Sequence, residues 1–402
     1  MFESIQTTGD DSILGLIEKF KNDPNPEKVD LGVGVYRDAA GVTPIMRAVK
    51  LAEEQLLKTE TTKTYTDSHG DPEFGRAAMA MAFGHDSAII KQGRVAATQT
   101  PGGSAALRLA AGLVASEFPH KTAWLPTPTW PNHLALLSSA GLPLARYPYL
   151  DDREELDFDA MLAGLQQIPE GDVVLLHACC HNPTGYDLSN AQWHEVLAVI
   201  QQRHLLPLID CAYLGLGDGL DEDAYGLRLL ADNLDEMLVT FSCCKNFGIY
   251  AERTGCLFII AGNSQILAEA RSSVAAVARS LYSSPPGHGS SIVKTILASD
   301  TLYPIWRAEL DAMRDRIKAM RSQLVTGLQD CGLGRQFDHI LEQKGLFSYT
   351  GLSADQVEYL RRQHSVYLIA SGRANIAGLT PDNVDYTCRA IAQAVAQACD
   401  PA

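Results

Sequence analysis

The residues best suited to chemistry sit in short segments, most of which follow an apolar run. Phe241-Ser-Cys-Cys-Lys-Asn-Phe-Gly248 closes the β-rich run 237–241, so Lys245 is expected where a strand gives way to a loop. In doubly wound sheets ligands collect at the carboxyl ends of the strands. A lysine placed there, among small and aromatic neighbours, could be desolvated enough to attack a carbonyl as a neutral amine. Most loop lysines are simply solvated, so Lys245 alone decides nothing. It has company: Asp210-Cys-Ala-Tyr213 follows the run 206–209, His181-Asn-Pro-Thr-Gly185 follows the run 173–176, and Glu252-Arg-Thr-Gly255 comes soon after the lysine. Asp210 could be a carboxylate partner in the same crevice or the cap of the next helix. Thr100-Pro-Gly-Gly-Ser104 opens an Ala- and Leu-rich helical stretch, so Gly103 and Ser104 can offer an amide and a hydroxyl to an anion at a helix N-terminus.

Two other patterns are set aside. His177-Ala-Cys-Cys-His181 holds metal-binding residue types, but it falls on an expected strand, where alternating side chains cannot converge on one ion; no metal is expected. Gly32-Val-Gly34 and Gly215-Leu-Gly217 lack the third glycine of a dinucleotide fingerprint and read as turn or close-approach glycines.

The elements that must carry these residues follow from hydrophobic periodicity. Apolar runs at 173–176, 206–209 and 237–241 alternate with helical patterns, one of which places Trp193, Val196, Leu197 and Ile200 on one face. Short apolar strands separated by helices predict a mostly parallel sheet covered on both faces, an α/β domain over residues 46–310. Asp11 or Ser12 can cap a first helix carrying Ile13, Leu16, Ile17 and Phe20, ended by the stretch 23–26; residues 1–45 read as an N-terminal arm and part of a small domain. From Trp306, the residues Leu310, Met313, Ile317, Met320, Leu324 and Leu328 predict one long amphipathic helix stopping near Gly332. Strand-like runs at 346–349 and 366–370 and a helix after Pro381 complete a small α+β domain over residues 311–402.

Composition bounds the partners. The 402 residues are 46% hydrophobic and 20% charged, enough apolar content for a large core. A net charge of −15 opposes nucleic acid and anionic membrane surfaces and favours small metabolites. The polar, acidic start lacks a secretory pattern, and the nine cysteines form no CxxC pair, so reduced thiols and a cytoplasmic setting are expected.

Taken together, Asn182-Pro-Thr-Gly185, Ser242-Cys-Cys-Lys-Asn-Phe-Gly248, Glu252-Arg-Thr-Gly255 and Ser371-Gly-Arg-Ala-Asn-Ile-Ala-Gly378 make the chain resemble, along its whole length, the fold-type I pyridoxal-phosphate aminotransferases of the aspartate and aromatic amino-acid subgroup. The resemblance implies a seven-stranded, mostly parallel sheet and pyridoxal 5′-phosphate held by Lys245 as a Schiff base. It implies that Asp210 keeps the ring nitrogen protonated and that Asn182 and Tyr213 bond the phenolic oxygen. Gly103, Ser104, Ser242 and Arg253 would hold the phosphate, with Tyr65 reaching it from a neighbouring subunit; a packed aromatic is the other reading of Tyr65. Cys244 stands where many relatives have serine, which weakens one phosphate bond. Trp130 would stack on the ring, unless it is a core anchor, with His133 behind Asp210. The Thr127–Pro128 and Asn182–Pro183 bonds match family positions that are cis.

For substrates, Arg373 resembles the arginine that grips an α-carboxylate in a planar fork, assisted by Trp130, Asn182 and the Gly34 backbone. Arg279 resembles the arginine given across a homodimer to a distal carboxylate. A surface ion pair is the bland reading of both. Ser104 and Ser284 look like aromatic-preferring members, Val35 and Thr43 like aspartate-preferring ones; the runs 347–351 and 366–371 tilt the expectation to aromatic substrates with 2-oxoglutarate and glutamate as partner pair. Aspartate aminotransferase is the alternative, and a decarboxylase or lyase using the same Lys245 and Asp210 is a more remote one.

Overall fold

The computed structural model describes Phe2 and residues 14–397; the expected cap at Asp11 or Ser12 lies outside them, as does Cys399. The chain divides into two units, one of residues 44–182 and 186–314, the other of residues 1–43, 183–185 and 315–402.

The first unit is built on seven strands: β1 (Val95–Pro101), β2 (Ala123–Thr127), β3 (Leu144–Pro148), β4 (Val173–His177), β5 (Leu206–Cys211), β6 (Met237–Ser242) and β7 (Thr254–Ile260). Their spatial order is β1-β7-β6-β5-β4-β2-β3. All neighbours are parallel except that β7 runs antiparallel to both β1 and β6. The central strands are buried along almost their whole length because helices cover both faces, which explains continuous apolar runs such as 173–176 in place of alternation. Leu107, Leu109 and Leu113 of the helix Gly102–Glu117 share one core with Leu125, Leu175, Leu208 and Leu257. The helix carrying Trp193 spans Asn190–Gln202 and starts with a capping box, Ser189 bonding the Gln192 amide and Gln192 returning to Ser189.

In the second unit, Val29–Asp30 pairs in parallel with Val366–Tyr367, and Arg373–Asn375 pairs antiparallel with Phe347–Tyr349. The run expected at 366–370 is a strand only over Val366–Tyr367, since the chain turns at Ala370 and Ser371 to bring Arg373 back. Helices Ala354–His364 and Val384–Gln397 accompany these strands. The long helix is Leu302–Leu328, its residues 302–314 belonging to the first unit and 315–328 to the second, with Trp306, Leu310, Met313, Ile317, Met320, Leu324 and Leu328 all buried. It ends at Gln329–Leu333, where Gly332 takes φ 89°.

Candidate active site

The carboxyl ends of β4, β5 and β6 bring the expected residues together. Pairing register sets His177 beside Asp210 and Asp210 beside Thr240 across three adjacent strands. The Asp210 carboxylate is 7% exposed and accepts hydrogen bonds from His133 Nε2 at 3.0 Å and Thr240 Oγ1 at 2.9 Å. An ionised carboxylate only accepts, so His133 Nε2 donates to it, while Nδ1 of the same ring lies 2.8 Å from the Thr129 hydroxyl. Burial pushes the Asp210 carboxyl up, but the His133 bond, the electrostatic influence of the His133 and His177 rings and the Thr240 hydroxyl outweigh it and hold the group at about 2. Burial and the neighbouring His133 press His177 in the opposite sense, down to about 3 against the pull of Asp210, so its ring is neutral at physiological pH. Trp130 is half-buried at the start of the helix Pro131–Ser138, its ring 5.2 Å from that of His133.

Lys245 stands, as its segment predicts, in the turn directly after β6. Its side chain is half-buried, with Nζ 5.0 Å from the centre of the buried Tyr213 ring. Desolvation lowers its basicity, and Arg253 adds to this, while Cys244 and Asp210 pull the other way. The turn is tied down on several sides. Asn246 is fully buried and donates to the Leu214 carbonyl at 3.1 Å, its own carbonyl accepts from Trp306 Nε1 at 2.9 Å, and Phe247 stacks on Trp306 at 4.6 Å. These supports, with Thr129 and Thr240, escaped the sequence reading: strand register and long-range stacking leave no local signature.

A cradle for an anion lies at the start of the helix Gly102–Glu117, which has no side-chain cap on its free amides. Gly102 has φ 77°, and a Cβ there would sit 2.6 Å from Arg253 Nη2; a Cβ on Gly103 would sit 3.3 Å from that of Ser242. Arg253, itself in the left-handed region at φ 52°, donates to Cys244 Sγ at 3.1 Å, and Ser242 Oγ accepts from the Cys244 amide at 3.3 Å. Gly102, Gly103, Ser242, Cys244 and Arg253 are thus gathered, with half-buried Ser104 one residue beyond Gly103.

Asn182 is 5% exposed and follows a bend in which Asp187 accepts from the Cys180 and His181 amides at 2.7 and 3.0 Å. The expectation that 177–181 is one strand is corrected here: β4 ends at His177 and Cys180 takes φ 50°. The motif therefore separates into His177, beside His133 and Asp210, and Cys179 and Cys180, beside Asp223. Thr127–Pro128 is cis, whereas Asn182–Pro183 is trans, correcting the expectation of two cis bonds; trans is the isomer an X–Pro bond prefers by about 0.5–1 kcal/mol.

In the second unit Arg373 is 3% exposed, donates to the Gly32 carbonyl at 2.6 Å and lies 4.2 Å from the centre of the Phe347 ring. Gly34 passes so close to Phe347 that a Cβ would stand 2.7 Å from it. Tyr65 is 91% exposed and Arg279 is exposed; among the described residues neither is joined by hydrogen bond or ion pair to Lys245, Asp210 or Arg253.

Residues 26–391 match the family Aminotransferase class I and II. The chain is 51% identical over 398 residues to the aromatic-amino-acid aminotransferase of Pseudomonas aeruginosa, covering 99% of each protein. The chain belongs to the class I and II aminotransferases. This aminotransferase is also 46% identical to the aspartate aminotransferase of Escherichia coli K12, over 97% of this chain and 99% of that one. Its fold superposes with TM-score 0.95, at 40% identity and over 98% and 99% of the two chains, on an aromatic-amino-acid aminotransferase from Burkholderia pseudomallei covalently bound to pyridoxal phosphate.

Proposed function

We propose that this aminotransferase moves the amino group of phenylalanine and tyrosine to 2-oxoglutarate, and that of aspartate as a second donor, with pyridoxal 5′-phosphate as cofactor. The observation that carries the chemistry is the placement of a half-buried Lys245 directly after β6 and of Asp210, whose carboxyl is held at about 2, near the carboxyl end of the adjacent strand β5. The residues fit that cofactor: Asp210 offers a fixed negative charge to a ring nitrogen, and the cradle of Gly102, Gly103, Ser242 and Arg253 would be filled by any added Cβ but suits a phosphate. When bound, pyridoxal phosphate supplies an aldehyde that condenses with amines and a protonated ring that accepts the electron pair left on the substrate Cα.

The protein's share is proton control and orientation. Asp210 keeps the ring nitrogen protonated, and the bonds from His133 and Thr240 keep Asp210 itself ionised. Lys245, lowered in basicity by desolvation, would carry the proton between the substrate Cα and the cofactor's C4′. Asn182 and Tyr213 bond the phenolic oxygen, Trp130 covers the ring, and Ser104 adds a phosphate donor. Arg373, with the Gly34 backbone, receives the α-carboxylate; its contacts with the Gly32 carbonyl and Phe347 leave the guanidinium fork in a set orientation.

In this proposal the enzyme is a cytoplasmic homodimer whose exposed Tyr65 and Arg279 complete the partner's phosphate and side-chain pockets. Among the described residues no helix is long and apolar enough to cross a membrane. The 51% identity to an enzyme named for aromatic amino acids supports the aromatic preference over the aspartate one. The test compares kcat/KM for phenylalanine, tyrosine and aspartate with 2-oxoglutarate as acceptor; a preference for aspartate over both aromatics would overturn the substrate assignment. Release of carbon dioxide or free ammonia in place of transferred nitrogen would favour a decarboxylase or lyase. Lys245→Ala should abolish the near-visible absorption and lower turnover by at least about 10²–10⁴-fold, and retention of both would remove Lys245 from the mechanism.

A further inference from the structure

The strands β5 and β6 carry Asp210 and Ser242 near their carboxyl ends, and their opposite ends open on a cavity. It has a volume of about 280 Å³ and is walled by Leu113, Phe118, Leu206, Met237, Ile260 and Ile266. Phe118 and Ile266 remain 52% and 42% exposed, so this apolar surface faces water. Three acidic residues line the cavity from separate elements: Glu117 from the end of the helix Gly102–Glu117, Glu236 from just before β6, and Glu269 from the helix Ser264–Leu281. All three are exposed, and among the described residues none is in an ion pair; Glu269 accepts one bond from Gln265, at 3.4 Å. Among the described residues no lysine, arginine or histidine lines the space. The basic side chain beside it, Arg94, is turned to the carbonyls of Ala261 and Leu234, at 3.0 and 2.8 Å, and to Asp235.

An apolar hollow ringed by unneutralised carboxylates selects a cation with an apolar body, and low-dielectric walls strengthen that preference. An apolar cavity of roughly 150 Å³ holds a benzene molecule, so this one has room for a single ring and an ammonium head. We propose that the cavity is a binding site for a small aryl- or alkylammonium compound. The ring lies on Leu206 and Ile266, above the buried floor of Met237 and Ile260, and the cationic head stands among Glu117, Glu236 and Glu269, with the Phe118 ring at its side. The site is distinct from the catalytic end of the sheet and does not depend on the substrate proposed above.

The test uses the cofactor-loaded enzyme and phenyltrimethylammonium, which has no N–H to condense with a carbonyl and no carboxylate for Arg373. Binding is followed by the ¹³C-methyl resonances of methionine and isoleucine. Saturable shifts at Met237, Ile260 and Ile266 are expected, with neutral 3-phenylpropan-1-ol weaker by at least about fivefold. The surface variant Glu236→Gln/Glu269→Gln should weaken binding roughly three- to tenfold, and Ala270→Leu, which fills the cavity from its helix wall, should remove it. The proposal is overturned by absence of saturable shifts up to about 10 mM, by equal binding of the neutral compound, or by unchanged binding to either variant.

Discussion

Replacing His133 by phenylalanine tests the electrostatic logic of the site without touching the lysine. His133 supplies the bond to Asp210 that counters burial most strongly, and with the Thr240 hydroxyl and the neighbouring rings it brings the carboxyl from 3.8 to about 2. At about 1.4 kcal/mol per unit, the depression is on the order of 2 kcal/mol of preference for the ionised form. Because the native value lies below the unfolded one, this contribution is present above about pH 4 and is lost as pH falls towards about 2. In His133→Phe, burial remains and only the Thr240 hydroxyl still donates, so the balance reverses and the carboxyl rises above its unfolded value. An ionised, under-bonded Asp210 then destabilises the fold at neutral pH. Losing a hydrogen bond to a charged group costs about 1.5–3 kcal/mol, and that deficit should appear at pH 7.5 and shrink as pH is lowered to about 5, where protonation relieves the carboxylate. The assay is urea unfolding of cofactor-free wild type, His133→Phe and His133→Gln between pH 5 and 8, with the glutamine amide, another N–H donor, expected to restore part of the loss. A deficit that stays constant or grows on acidification would refute this account of how Asp210 is kept ionised.

Further outcomes follow from other contacts. Arg253→Ala removes the cation from the cradle beside Gly102 and should weaken cofactor affinity roughly 10- to 100-fold in apoenzyme titration, with little change in the spectrum of the saturated enzyme; unchanged affinity would place the phosphate elsewhere. Arg373→Lys exchanges a fork for a point charge and should lower kcat/KM for aromatic and dicarboxylic substrates alike by about 10²-fold or more, whereas a loss confined to one class would assign Arg373 to the side chain in place of the α-carboxylate. Trp306→Phe forfeits the bond to the Asn246 carbonyl at 2.9 Å and should cost about 1–2 kcal/mol in urea unfolding while raising the mobility of the Lys245 turn, read as faster cofactor release; equal release rates would show that Trp306 does not hold that turn.

Much of this enzyme was legible in one dimension because the signals are local. The strand ending at Ser242 places Lys245 in a turn, the glycines at 102 and 103 open a helix, and the spacing from Trp306 to Leu328 marks a helical face, all through short-range backbone preference and burial. The same locality misled at Cys180, where a left-handed residue ends a run that reads as strand, and at 368–370, where an apolar stretch turns to return Arg373. Residue types alone could nominate Asp210 and Lys245 but not say how either titrates. That was decided by which strands became neighbours: parallel register put Thr240 and His177 on either side of Asp210, a helix after a fourth strand delivered His133, and distant Trp306 closed over the lysine turn. Desolvation and hydrogen bonding depend on atoms far apart in the chain, so the ionised carboxylate and the weakened amine are products of tertiary packing, while the residues that become them were written locally.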